Sequence, residues 1–204
     1  MKKALALLSG GIDSPVAIDV MKDKLKIDAV HFHFVPLTDE ESIEKSKKLA
    51  KQLGVKKLYI IPFVKPQTEV VDKCNNRYFF VITRRIMFRA AEKLSKKNRY
   101  EFLITGENLG QVSSQTLDNM TVVDKALEIP ILRPLLCFDK REIIDRAVEI
   151  DTFETSKGPE ICCLLGPKHP ATRAKLEYVE KEEEKLNIKK LIDDCLKNIE
   201  VVEF

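Results

Sequence analysis

The sequence predicts an α/β fold: a doubly wound, mostly parallel five-stranded sheet with helices on both faces. Three observations lead there. Short apolar runs alternate with longer stretches of helical period, the connections between them are short, and the first run ends in a Ser-Gly-Gly turn that opens a helix. Parallel neighbours need a crossover, and a helix is the usual one. With 204 residues, 44 % of them hydrophobic, the chain can fill one core, so a single domain over residues 1–204 is expected.

The elements follow in order. Residues 3–8 are an apolar run of strand length, turned by the glycine pair behind it. Val16, Ala17, Val20 and Met21 recur at helical spacing after Pro15, which suits a first helical turn, so a helix is expected over 15–23. Residues 28–35 read as the second strand. Thr38 and Glu41 have capping-box spacing and predict a helix that runs to 53 and stops at Gly54. Residues 57–61 make the third strand. One long helix is expected over 68–97, with Val81, Ile82, Ile86, Ala90 and Leu94 on a single stripe. Residues 101–105 make the fourth strand, followed by a loop holding Gly106 and Gly110 and a helix over 111–120. The fifth strand is expected over 129–135, where Pro130 and Pro134 limit its ladder. Asp139 and Glu142 cap a helix that reaches 149. From residue 160 no further strand is legible: a Cys-Cys loop, a Pro/Lys/His segment and a polar helical extension from about 174 that ends near 198. The run 180–185 reads as a solvated helix face.

Composition narrows the class. Charged residues make up 33 % of the chain, yet the net charge is only +3, so any nucleic-acid contact has to come from a local basic patch. The five cysteines are an odd number, two are adjacent, and no Cys-x-x-Cys pair exists, which excludes a disulfide framework and makes a poor zinc site. Free thiols in a reducing cytoplasm are expected. The apolar stretch behind Met1-Lys2-Lys3 is far too short to span a bilayer, and no membrane association is expected.

The chemistry concentrates in Ser9-Gly10-Gly11-Ile12-Asp13-Ser14, between the first strand and the first helix. Two glycines let backbone N–H groups approach anionic oxygens, the serines add hydroxyl donors, and the helix N-terminus adds its positive end. The loop lacks the lysine of one common nucleotide motif and the glycine spacing of the other. Asp13 fits beside phosphates when Mg²⁺ lies between them. The plainer alternative is an ordinary strand-to-helix turn.

The hexapeptide resembles the SGGxDS signature of the PP-loop ATP pyrophosphatases, with their adenine nucleotide alpha hydrolase-like fold. The resemblance narrows further. Ser9 to Ala17, Ala29 to His33, Arg84-Arg85-Ile86-Met87, Thr105 to Met120 (TGENLGQVSSQTLDNM), Arg133-Pro134-Leu135 with Asp139-Lys140, and Glu160 to Thr172 match in order the catalytic domain of the ThiI-type tRNA 4-thiouridine synthetases. That family implies adenylation of a carbonyl oxygen by ATP, with AMP and pyrophosphate released, then sulfur transfer that turns a tRNA uridine into 4-thiouridine. It implies catalytic roles for Asp13 and Cys162, with Mg²⁺ reaching Asp13 through the phosphates. Leu7, Leu8, Ser9, Gly10, Gly11, Asp13, Ser14, His31, Phe32, Arg84, Gly106 and Gln115 match its ATP-binding positions. Cys163 is a candidate sulfur relay, and the sulfur route implied is a cysteine persulfide or an iron–sulfur cluster.

Plainer readings stand beside these. His31 and His33 share one strand face and make at best two ligands of a metal, and Phe32 is as well suited to the core. Arg77, Arg85, Arg89 and Lys168 are candidate RNA contacts, or a solvated face. Cys162 and Cys163 are alternatively a buried structural pair, and Cys74, Cys137 and Cys195 read as packing. Met1 sits almost on the first strand, so the chain is expected to lack the THUMP domain that docks tRNA in the family. The partners implied are tRNA through a separate docking protein, and sulfide or a sulfur-donor protein. A homodimer is left open. Two rival functions remain: a PP-loop enzyme that thiolates or amidates a small metabolite, as in thiamine-thiazole chemistry, and a nucleotide-binding subunit of a complex.

Overall fold

The computed structural model describes residues 1–112, 114–158 and 165–204. The described residues build one six-stranded sheet in the order β5-β4-β1-β2-β3-β6. Its strands are β1 (Lys3–Leu7), β2 (Lys26–His33), β3 (Lys57–Pro62), β4 (Phe102–Ile104), β5 (Ile131–Leu132) and β6 (Glu200–Glu203). The first five run parallel, and β6 joins the free edge of β3 antiparallel. The five-strand expectation was therefore one short. Glu200-Val201-Val202-Glu203 is brief and mostly exposed, and its strand state comes from pairing with Lys57–Ile60, a partner far away in sequence.

Both faces are covered. Alternation along the central strands sends Ala4, Ala6, Ala29, Leu58 and Ile60 to one side, where they meet α1 (Asp13–Met21), α2 (Glu41–Gln52) and α6 (Lys140–Glu149). Leu5, Val30, Phe32, Tyr59 and Ile61 point the other way. There they meet α3 (Val64–Lys73), α4 (Phe79–Asn98), α5 (Leu117–Asp124), α8 (Leu176–Glu183) and α9 (Ile188–Lys197). The short α7 (Phe153–Ser156) leans on α2 and α6.

Three boundaries differ from the expectation, and one expected cap is present. The long helix is two, α3 and α4, separated by Cys74–Asn75 and a 3-10 turn over Asn76–Tyr78 that the Asn75 side chain caps. The Thr38–Glu41 capping box is not formed: Glu40 occupies the N-cap of α2, and Asp39 Oδ1 accepts from Glu41 N instead. The Asp139–Glu142 box is formed, with both reciprocal bonds. The helix expected over 111–120 starts later, as α5 at Leu117, because Thr116 caps it.

Sequential strands step outward from β1 through β2 to β3, and the chain then returns to lay β4 and β5 on the opposite side. The reversal lies between β1 and β4. In open parallel sheets, ligands lodge at such a switch point, beyond the carboxyl ends of the strands.

Candidate active site

The loop after β1 and the loop after β4 meet at that switch point. Gly10 has φ +86°, a left-handed conformation that favours glycine. Ser14 closes the turn: its Oγ accepts from Ser9 N at 3.0 Å and lies 3.1 Å from Ser9 Oγ, which also accepts from Gly11 N at 3.2 Å. The two serines expected to face phosphate thus also shape the loop. No side chain caps α1, whose N-cap is Ile12, so its first-turn N–H groups remain for a ligand. Gly106 is pressed against this loop. A Cβ there would lie 2.6 Å from Ser14 N, 2.7 Å from Asp13 C and 2.9 Å from Asp13 O. The glycine is needed for backbone-on-backbone contact.

Charged groups from distant segments converge on the same mouth. Lys140, the first residue of α6, donates to Asp13 Oδ1 at 2.7 Å and to Gln111 Oε1 at 3.3 Å. The capped N-terminus of α6 fixes where that lysine starts. Glu107, 4 % exposed, accepts from Arg84, from Arg133 Nε at 2.7 Å and from Thr105 Oγ1 at 3.1 Å. Burial alone would raise its carboxyl, but the two guanidiniums hold it below the ordinary value. Arg133 is further gripped by Asp124, whereas Arg84 stays 31 % exposed at the opening. Gln115 braces the same loop, taking Asn108 N on Oε1 at 3.0 Å and Gly110 N on its carbonyl at 3.0 Å. Lys140 and Glu107 had no role assigned from sequence, although both lie inside matched stretches, because their partners are far apart in the chain.

At the end of β2, His31 is 2 % exposed and its Nδ1 lies 2.8 Å from Leu8 O. A carbonyl only accepts, so Nδ1 carries the proton and Nε2 presents a lone pair, which has no partner among the described residues. Burial pushes its pKa down to about 4, so the ring is neutral at pH 7. Phe32 points into the core, edge-on to Phe63 at 5.1 Å between ring centres. Leu7 and Leu8 close β1, with Leu8 N bonded to Val30 O at 2.9 Å.

The expected basic cluster divides. Arg85 is 1 % exposed and its guanidinium is spent internally, on Glu183 at 2.8 and 2.9 Å and on Val122 O. Arg89 makes two bonds to the same Glu183, at 2.7 and 2.9 Å. Both are withdrawn as RNA-facing residues: they join α4 to α8. Arg77 and Lys168 are exposed, and Arg77 O accepts from Ala171 N at 2.8 Å, which keeps the two segments together. Cys162 and Cys163 lie outside the described residues. Cys74 and Cys195 are buried and their thiols are pushed up to about 11, mainly by burial, as packing cysteines should be. Cys137 is exposed, contrary to the packing role expected of it.

Among the described residues no group of three or more His, Cys, Asp and Glu side chains is arranged to hold a metal by itself, and His31 with His33 finds no third ligand. Asp13 fits a Mg²⁺ that arrives with phosphates. Such an ion takes one or two carboxylates and keeps phosphate and water for its remaining positions.

Comparison with known proteins settles the family. The model of the family described as "Thiamine biosynthesis protein (ThiI)" matches residues 1–188. The chain belongs to the ThiI family. A probable tRNA sulfurtransferase from Thermoanaerobacter pseudethanolicus is 47 % identical over 199 residues, which is 94 % of this chain and 52 % of that protein. One from Coxiella burnetii is 47 % identical over 208 residues, 98 % of this chain and 53 % of the relative. The chain spans about half the length of the curated relatives it matches. Among solved structures, a 4-thiouridine synthetase–RNA complex with bound ATP has a TM-score of 0.93 at 37 % identity, over 98 % of this chain and 55 % of that one. NMN synthetase from Francisella tularensis, at TM-score 0.60 and 14 % identity, covers 95 % of this chain and 76 % of its own and shares the fold alone. Among the described residues no ThiI-family helix is long and apolar enough to cross a membrane.

Proposed function

We propose that residues 1–204 act as one cytoplasmic PP-loop catalytic domain that adenylates O4 of a tRNA uridine with ATP and then replaces that oxygen by sulfur. The observation that carries this is the switch-point contact, where Gly106 packs on Ser14 and Asp13 beside an α1 N-terminus that no side chain caps and that is open to phosphates. The family membership and the likeness to a synthetase with bound ATP and RNA support it.

In this reading the pyrophosphate portion of ATP occupies the Ser9–Ser14 loop. Uridine O4 attacks the α-phosphorus, and the bond to pyrophosphate breaks. A nucleophilic sulfur then attacks C4, and AMP leaves with the oxygen. In this reading the remaining loop N–H groups and Arg84 hold developing negative charge, and Lys140 steers Asp13. Neutral His31 offers Nε2 as an acceptor beside the nucleotide rather than as a cation. Asp13 would hold Mg²⁺ arriving with the phosphates, and the ion would supply charge neutralisation there. The sulfur is delivered by free sulfide, or by a persulfide on Cys162: its outer sulfur bonds C4, the Cys163 thiolate attacks Cys162 Sγ and breaks the S–S bond, and the Cys162–Cys163 disulfide left behind is reduced by an external thiol. Arg77 and Lys168 contribute phosphate contacts to the RNA, and a separate docking protein assists.

The test is incubation with Mg²⁺-ATP, sulfide and unmodified tRNA, followed by digestion of the RNA and mass spectrometry. The expected result is 4-thiouridine together with AMP, and loss of both with Asp13→Ala. Cys162→Ser should stop persulfide-dependent transfer while sulfide rescues it. AMP formation that needs a small metabolite and ignores tRNA refutes the tRNA reading and selects metabolite thiolation.

A further inference from the structure

The phosphate loop has a neighbour that neither the loop motif nor the family match brings forward. Lys45, in the second turn of α2, lays its stem across Gly10. Its Cδ and Cγ lie 3.5 and 3.8 Å from where a Cβ on Gly10 would stand. The ammonium, two bonds beyond Cδ, lies 3.4 Å from a Cβ built on Gly158 and 3.4 Å from Lys157 O. That last contact is long for a hydrogen bond to a charged donor, so it holds the ammonium weakly.

The surroundings leave the side chain room to move. A groove of about 440 Å³, lined by Glu41, Glu44, Lys45, Lys48, Glu154 and Thr155, opens beside it. Three carboxylates face that groove, yet none lies within ion-pair distance of Lys45 among the described residues. Glu44 is engaged by Lys47 and Glu154 by Lys157. A half-buried lysine resting on a glycine-rich anion loop has, among the described residues, one long bond to a carbonyl and no carboxylate partner. Lys140 is paired with Asp13.

We propose that Lys45 is a second cation of the phosphate site: with ATP in the loop, its ammonium leaves Lys157 O and pairs with oxygens of the departing pyrophosphate. This rests on the adenylation reading above. Lys45 rests on Gly10 whereas Lys140 is paired with Asp13, so the two lysines touch different residues of the loop. An interaction with the leaving group strengthens as charge builds there, which is where electrostatic help accelerates the step.

Calorimetric titration of the full chain with ATP and with AMP separates the possibilities. Lys45→Met should weaken ATP binding about tenfold or more, the loss expected for a charge-assisted bond. It should leave AMP within about twofold, since AMP lacks the pyrophosphate, and retained AMP affinity also reports a folded site. Lys45→Arg should recover most of the ATP affinity. Lys48→Met, which removes an equal charge from the same groove, should change little. The inference is overturned if Lys45→Met binds ATP as the wild type does, if ATP and AMP weaken equally, or if Lys48→Met matches it. A wild-type chain that binds no ATP overturns the adenylation reading and this one together, whereas normal ATP binding by both proteins removes Lys45 alone.

Discussion

Replacing Gly106 by alanine is the sharpest probe of how the two loops meet. The added methyl group would sit 2.6, 2.7 and 2.9 Å from three backbone atoms of Asp13 and Ser14, where ordinary contact begins near 3.4 Å. No side-chain rotation relieves a clash with backbone. Nor can the loop simply retreat, because the Ser9–Ser14 bonds tie its two ends together. Gly106 is not among the glycines with positive φ, so alanine suits its backbone and the overlap alone is tested. Overpacking of this kind costs about 1–3 kcal/mol. For a chain of this length that lowers Tm by roughly 2–12 °C. ATP affinity should fall more than about tenfold, since the displaced atoms carry the N–H groups at the phosphate position. Gly54→Ala is the control: its Cβ meets nothing, but φ +69° costs about 1 kcal/mol, so stability drops and ATP binding does not. Thermal melts and calorimetry read both quantities. Wild-type Tm and wild-type ATP affinity in Gly106→Ala would refute the argument.

Three further outcomes follow from the buried charges. Glu107→Gln leaves Arg84 and Arg133 facing a neutral amide, and urea unfolding should show a loss of about 3 kcal/mol; an unchanged midpoint would mean that the arginines find other partners. Glu183→Ala strands Arg85 at 1 % exposure and should cost about 3–5 kcal/mol, of which Arg85→Met together with Glu183→Leu regains most; a double variant as unstable as the single one contradicts this. His31 has a folded pKa of about 4 against an ordinary 6.5, so between those values the unfolded chain binds a proton that the native chain refuses. Its stabilisation is therefore complete above about pH 6.5 and lost as pH falls toward 4, by up to about 3 kcal/mol. The difference between wild type and His31→Gln across that window should slope accordingly, and parallel profiles would exclude it. Glu107 and Glu183, whose carboxyls are held low by arginines, add their own loss only at more acidic pH.

The reading from sequence succeeded where local pattern decides and failed where a distant partner does. The apolar runs of β1 to β4, the turn at Ser9–Ser14 and the Asp139–Glu142 cap are written in neighbouring residues, and all appear. The apolar stripe that suggested one helix over 68–97 belongs to α4, and it gave no sign that Asn75 would cap a new turn. Thr38 had the right spacing for a cap but lost to Asp39, one residue nearer the helix. In the site, Lys140 reaches Asp13 across 127 positions, and Glu107 gathers guanidiniums 23 and 26 positions away. Arg85 looked like its exposed neighbours because nothing near it in the chain announces Glu183, 98 residues on.

The sixth strand has a consequence for handling the protein. The edge it covers, Lys57–Pro62, is a continuous run of Leu58, Tyr59, Ile60 and Ile61 with an open ladder on the β6 side. Such a segment, uncovered, is a template for a second molecule, and self-association through it grows with concentration. Glu200 and Glu203 tie the covering strand down, pairing with Lys47 at 3.5 Å and Lys57 at 2.7 Å. Trimming residues 200–204 would remove little of the core and leave the nucleotide loop untouched, yet it would bare that edge, and light scattering should then rise with concentration faster than for the full chain.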